Sequence, residues 1–176
     1  KKEFSSILDR YFEYDQELYK QVVTTRDMVM NTRDLIKYSK ELEMLEKNIT
    51  IFHAKIINHL FSKFNHEVDI IGFHGQTIFH NSELKITKQL GDGYLLSQLV
   101  RKNVVYDFRQ ADIQNNGQGA PLTPIFHYLL ANRIVEKYKL ELPISFLNIG
   151  GISNITQIIS FSNLMEDNLL ALDIGP

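Results

Sequence analysis

The sequence has no cysteine and no tryptophan, and only four of its 176 residues are proline. Without thiols there can be no disulfide framework, no thiolate metal site and no cysteine nucleophile, which suits a reducing compartment. No apolar run approaches the ~20 residues that a membrane helix needs, and no signal-peptide pattern opens the chain, so the expected location is the cytoplasm. A surplus of positive charge is also missing. With 19 Lys and Arg against 21 Asp and Glu, the net charge is -2 and the pI is near 6.3. Such a surface does not neutralise nucleic-acid phosphates or an anionic bilayer, and the expected partner is a small molecule. Internal repeats and low-complexity segments are absent as well.

What is present is the composition of an ordinary globular protein, 44% hydrophobic and 23% charged, with enough chain for one sizeable domain or for parts of two lobes. Both ends read as interior positions. There is no initiator methionine, and Ala171 to Pro176 stop where a strand meets a turn, so a piece of a longer protein is expected.

Phe4, Ile7, Leu8, Tyr11 and Phe12 recur at helical spacing and predict a first amphipathic helix. A second is expected from Glu17 to about Lys37. The third holds Leu42, Leu45, Ile49, Phe52, Ile56, Ile57, Leu60, Phe61 and Phe64 on one face. These helices read as scaffold, and His53 and His59 on them as surface or packed side chains. From Val68 onward the texture changes to strands. Val68–Phe73 reads as a strand, His74–Thr77 as a turn and Ile78–His80 as a return strand, with another strand from Leu84 to Leu90. Gly91-Asp92-Gly93 then precedes a helix carrying Leu95, Leu96 and Leu99. Val104-Val105-Tyr106 predicts a buried strand ending on Asp107, followed by a polar loop through Gly117-Gln118-Gly119. A helix is expected from about Leu122 to Lys139, with Pro121 and Pro124 at its first turn. Ile144–Asn148 and Ile155–Ser160 predict a hairpin across Gly150-Gly151, and Leu169–Asp173 a last strand. Strands alternating with helices, hairpins among them, predict an α/β fold with mixed sheets and flanking helices.

Four strands thus end in polar turns: His74–Thr77, Gly91–Gly93, Asp107 with its loop, and Asn148–Asn154. Each turn alone has a commonplace explanation, because Gly, Asn and Asp form turns everywhere. Together they predict a polar cleft, with Asp107 fixed at its mouth near His74 and Gly150. Backbone N–H groups around Gly150 and Gly151 would suit phosphate oxygens. A carboxylate beside such a hairpin fits phosphoryl transfer, and a hydrolase could use the same groups. Asp107 and Asp112 could also form a glycosidase acid/base pair. A metal site through His74, His80 and Asp92 lacks the close spacing of a zinc motif.

In order along the chain stand Ile71-Gly72-Phe73-His74-Gly75-Gln76-Thr77, Gln89-Leu90-Gly91-Asp92, Asp107-Phe108-Arg109, Gly117-Gln118-Gly119-Ala120-Pro121-Leu122, Asn148-Ile149-Gly150-Gly151-Ile152-Ser153-Asn154 and Asp173-Ile174-Gly175-Pro176. In this series the sequence, over residues 41 to 176, resembles the anhydro-N-acetylmuramic acid kinases of the sugar-kinase, Hsp70 and actin superfamily. The resemblance implies parts of two lobes around an ATP cleft. Residues 1–120 would belong to an N-terminal sugar-binding lobe and residues 121–176 would begin a C-terminal nucleotide-binding lobe. It further implies ATP with Mg2+, opening and phosphorylation of 1,6-anhydro-N-acetylmuramic acid in peptidoglycan recycling, and room for a homodimer of the intact protein. By similarity Asp107 is the catalytic base. His74, Gln76, Arg109, Gln118 and Gly119 line the sugar site. Asn148, Gly150, Gly151, Asn154, Asp173 and Gly175 face the nucleotide phosphates. The family's glycine-rich N-terminal phosphate hairpin has no counterpart before His74, nor does its adenosine-binding half follow Gly175. The rival expectation is therefore a truncated remnant that binds a sugar or a partner without turnover.

Overall fold

The computed structural model describes residues 5–63, 65–149, 153–161 and 168–175. Phe4, Phe64, Gly150, Gly151, Ile152 and Pro176, all named above, lie outside the described residues. The chain divides into two compact units, Lys1–Gly119 and Ala120–Pro176.

The first unit is built on three helices, α1 (Gln16–Met28), α2 (Thr32–Lys37) and α3 (Ser39–Phe61). The helix expected around Phe4 to Phe12 does not form over residues 5–15. Two of its apolar residues stay largely in solvent, Ile7 at 65% and Tyr11 at 86% exposed, and a short helix with little tertiary packing is unstable in water. The single helix expected from Glu17 to Lys37 is two. Asn31 caps Arg33 and pairs reciprocally with Asp34 in a capping box that starts a new helix, while Val29 turns into the core between them. The α3 prediction matches, and Leu42, Leu45 and Ile49 pack with Leu18, Val22, Val29, Ile78 and Leu90.

Beside α3 lie two small sheets. Strand β1 (Ile70–Gly72) pairs in parallel with β4 (Asn103–Val105), and the antiparallel hairpin β2 (Gln76–Asn81) and β3 (Ile86–Leu90) comes between them in sequence. The return strand after His74 therefore pairs with β3 and not with β1. The N–H of Phe73 continues the parallel ladder to the Val105 carbonyl at 2.8 Å, and Gly75, at φ +71°, turns the chain out of it. A Cβ on Gly75 would stand 2.6 Å from the Leu90 carbonyl oxygen. Gly75→Ala is therefore expected to cost about 2 kcal/mol or more of stability, read by urea denaturation. Helix α4 (Gly93–Val100) packs Leu96 and Val100 with Ala54 of α3 and Phe73. Asp92 caps it by accepting from Leu95 N at 2.8 Å. The turn before α4 is held by α3, where Thr50 Oγ1 accepts from Asp92 N at 3.0 Å and Glu46 Oε1 accepts from Gly91 N at 3.1 Å.

The strand expected to run buried to Asp107 ends at Val105 and is not buried, with Val105 44% and Tyr106 41% exposed. A two-stranded sheet covers only one of its faces, and the Tyr106 ring is used against Gly93, where a Cβ would collide with it. The polar loop expected after Asp107 begins instead with helix α5 (Phe108–Gln114), whose one buried residue is Ile113.

In the second unit, α6 (Pro124–Tyr138) opens with proline at its first position. It covers one face of an antiparallel sheet ordered β5 (Ile144–Asn148), β6 (Ser153–Ile158) and β7 (Leu169–Gly175). Tyr128, Ala131 and Ile158 form its core, with Phe146 and Leu169 against them. The chain is thus an α/β structure of helices with small parallel and antiparallel sheets, as its pattern predicts.

Candidate active site

Asp107 caps α5 from a left-handed backbone, φ +58° and ψ +33°, and its side chain makes no capping hydrogen bond. Aspartate adopts this region more readily than most residues, yet the conformation costs energy, and such strain collects at functional sites. The carboxylate is exposed. The strand before it stops at Val105, so Asp107 stands where α5 begins and not at a buried strand end.

Arg109, the second residue of α5, gathers two segments distant in sequence. Its Nε donates to His74 Nε2 at 2.9 Å and its Nη1 donates to the Gly119 carbonyl at 2.8 Å. Burial lowers the Arg109 pKa from its usual value, yet a guanidinium stays cationic at physiological pH. The other nitrogen of His74, Nδ1, lies 2.8 Å from the Gly75 carbonyl. A carbonyl only accepts and a guanidinium only donates, so His74 carries its proton on Nδ1 and offers Nε2 as the acceptor. His74, Arg109 and Gly119 are thus brought together by hydrogen bonds. Gln118, beside Gly119, is exposed. Gln76 is half-buried on β2, opposite Leu90, and its amide donates weakly to the Thr77 carbonyl at 3.4 Å, apart from the arginine network.

Asp112, expected only as an acid/base partner of Asp107, holds this loop. Its Oδ2 accepts from Gly119 N at 2.8 Å, and its carbonyl accepts from Gly117 N at 2.8 Å. Only the i, i+3 spacing of Arg109 and Asp112, which places both on one helix face, signals the pairing, and it does so once α5 is known to be a helix.

In the second unit the β register aligns three of the residues expected to face phosphate. Asn148 pairs with Asn154, and Asn154 pairs with Asp173. The row continues the sheet face that carries Phe146, Thr156 and Ala171, which pair one step earlier. It is therefore a polar margin at the end of an apolar face. Gly175 follows at φ +155°, and a Cβ there would meet nothing within 4 Å. His127 of α6 lies over the same face, stacked on Phe146 at 4.8 Å with Nδ1 2.9 Å from Thr156 Oγ1.

Burial holds His127 below the usual imidazole range. A depressed histidine stabilises the fold above its unfolded pKa of about 6.5, and that contribution is lost as pH falls through the folded value. Thermal stability is expected to decline from pH 7 toward pH 5, and His127→Phe should flatten that decline. An unchanged pH slope in the variant would assign it to other groups.

Among the described residues, no three or more His, Cys, Asp or Glu side chains gather as metal ligands, so His74, His80 and Asp92 form no metal site. No helix among the described residues is long and apolar enough to cross a membrane.

The family model described as anhydro-N-acetylmuramic acid kinase matches residues 1–176. The chain is 50% identical over 173 residues to the anhydro-N-acetylmuramic acid kinase of Pelagibacter ubique, covering 98% of this chain and 44% of that protein. It is 42% identical over 136 residues to the enzyme of that name from Brucella canis, covering 75% of this chain and 34% of that protein. With the Rhodopseudomonas palustris protein of the same name, identity is 40% over 134 residues, 74% of this chain and 34% of the relative. The chain spans less than half the length of these curated relatives.

Proposed function

The chain belongs to the anhydro-N-acetylmuramic acid kinase family, and from that premise we propose that it forms the sugar-binding part and the start of the nucleotide-binding part of such a kinase. The reaction is the ATP-dependent conversion of 1,6-anhydro-N-acetylmuramic acid to N-acetylmuramic acid 6-phosphate, in the reuse of cell-wall sugar inside the cell. The observation that carries the reading is the strained, uncapped Asp107 at the start of the helix whose Arg109 gathers His74 and Gly119.

Asp107 is the general base. It takes a proton from a water molecule as that water's oxygen bonds to the anomeric carbon, and the bond from that carbon to the bridging 6-oxygen breaks. The released 6-oxygen becomes the phosphoryl acceptor. His74, Arg109, Gln118 and Gly119 orient the sugar, with Gln76 at the edge of the site. An exposed carboxylate suits this role, because the water it activates must reach it.

The row of Asn148, Asn154 and Asp173 fits a phosphate-bearing ligand, because side-chain amides and backbone N–H groups donate to phosphate, while a carboxylate meets phosphate by sharing a bound cation with it. Gly150, Gly151 and Gly175 complete the proposed contacts. ATP bound there would supply the phosphoryl group, and a magnesium ion would neutralise its phosphates. Asp173, the carboxylate of that row, would be the residue to hold such an ion beside the phosphates.

The test is transfer of radiolabelled phosphate from ATP to the anhydro sugar, run with the sequence in its full natural chain. A labelled sugar phosphate is expected. Ring opening that proceeds equally without ATP would assign the site to a glycoside hydrolase, and binding of the sugar without any product would leave a non-catalytic sugar-binding chain.

A further inference from the structure

We propose that Asp112 is a positioning residue of the sugar site, which fixes the Gly117-Gln118-Gly119 turn so that Gln118 meets the substrate in one orientation. This rests on the kinase reading above.

Three features support it. Arg109 and Asp112 stand one turn apart on α5 and grip opposite ends of the same residue, the guanidinium taking the Gly119 carbonyl and the carboxylate taking its N–H. Gly119 is buried and sits at φ +75°, where a Cβ would stand 2.9 Å from the Ile113 side chain and 3.2 Å from His80. Gly117 is tied to the Asp112 carbonyl, and a Cβ on it would collide with the Asp112 carboxylate. The residue between the two glycines has no such tether in its own backbone, and glycine on both sides would otherwise leave it loose. With both glycines tied to Asp112, the exposed Gln118 is set on a fixed base. Its amide can both donate and accept, which matches a sugar bearing hydroxyl and acetamide groups. Asp112 touches no reacting atom in this scheme. What it contributes is the geometry of a neighbour.

The acceptor matters here and the charge does not. Asp112→Ala removes the partner of the Gly119 N–H, whereas Asp112→Asn keeps an oxygen in its place. In the full natural chain, Asp112→Ala is expected to raise KM for the anhydro sugar at least tenfold while leaving KM for ATP within twofold. Asp112→Asn should restore most of the loss. Hydrogen exchange read on the peptide containing Gly119 should speed up at least tenfold in the alanine variant and little in the asparagine variant. Parallel changes in both KM values, or an asparagine variant as impaired as alanine, would overturn the proposal. If the unaltered protein yields no sugar phosphate at all, the kinase reading fails on its own. The exchange experiment then decides the clamp alone, and unchanged exchange at Gly119 refutes it.

Discussion

Asp107→Asn should lower turnover of the anhydro sugar by ~10²–10⁴-fold, the usual contribution of a general base. The substitution isolates the chemistry from the fold. Asparagine is, with aspartate, among the residues that best tolerate a left-handed backbone, and Asp107 makes no capping bond that an amide would lose. The α5 start, and with it Arg109 and Asp112, should therefore stay in place. Sugar affinity, measured by calorimetry, is expected to change less than tenfold. A loss of turnover under tenfold would remove Asp107 from the role of base. A collapse of affinity together with turnover would mean that it binds the sugar rather than activating water.

Arg109→Ala should reduce kcat/KM by about 100-fold or more, on the basis that each hydrogen bond from a charged donor contributes ~1.5–3 kcal/mol. Two such bonds disappear together, one to His74 Nε2 and one to the Gly119 carbonyl. His74 then loses the donor that fixes its tautomer and its ring orientation. Arg109→Lys is expected to recover little, because a single ammonium on a flexible stem cannot span both acceptors as the planar fork does. Equal activity of the lysine variant and the unaltered protein would show that only the positive charge is needed at this position.

The helical periodicity of α3 and α4 was legible because both bury one continuous apolar face. The same periodicity misled around Ile7 and Tyr11, where a stripe exists but those two side chains stay largely exposed. The α1–α2 break was written in Asn31 and Asp34, a signature that the longer apolar pattern concealed. Pairing was harder still. Nothing in the apolar runs themselves says whether Ile70–Gly72 joins the next strand across His74–Thr77 or one thirty residues on. Of the candidate site, His74, Arg109 and Gly119 could be named from motif order, and the structure joins them by hydrogen bonds. Asp112 could not. Its role depends on α5 being a helix, and a segment with one buried apolar residue, Ile113, gives no periodic signal.

The most direct measurement follows the oxygen of water into the product. With the sequence in its full natural chain, ATP and 1,6-anhydro-N-acetylmuramic acid are incubated in 18O-labelled water, and the sugar phosphate is analysed at once by mass spectrometry before anomeric exchange. Activation of water by Asp107 predicts one 18O at the anomeric carbon, the phosphoryl group on an unlabelled 6-oxygen, and both features absent in Asp107→Asn. A sugar phosphate that carries no solvent oxygen, or one formed at an undiminished rate by Asp107→Asn, contradicts the account.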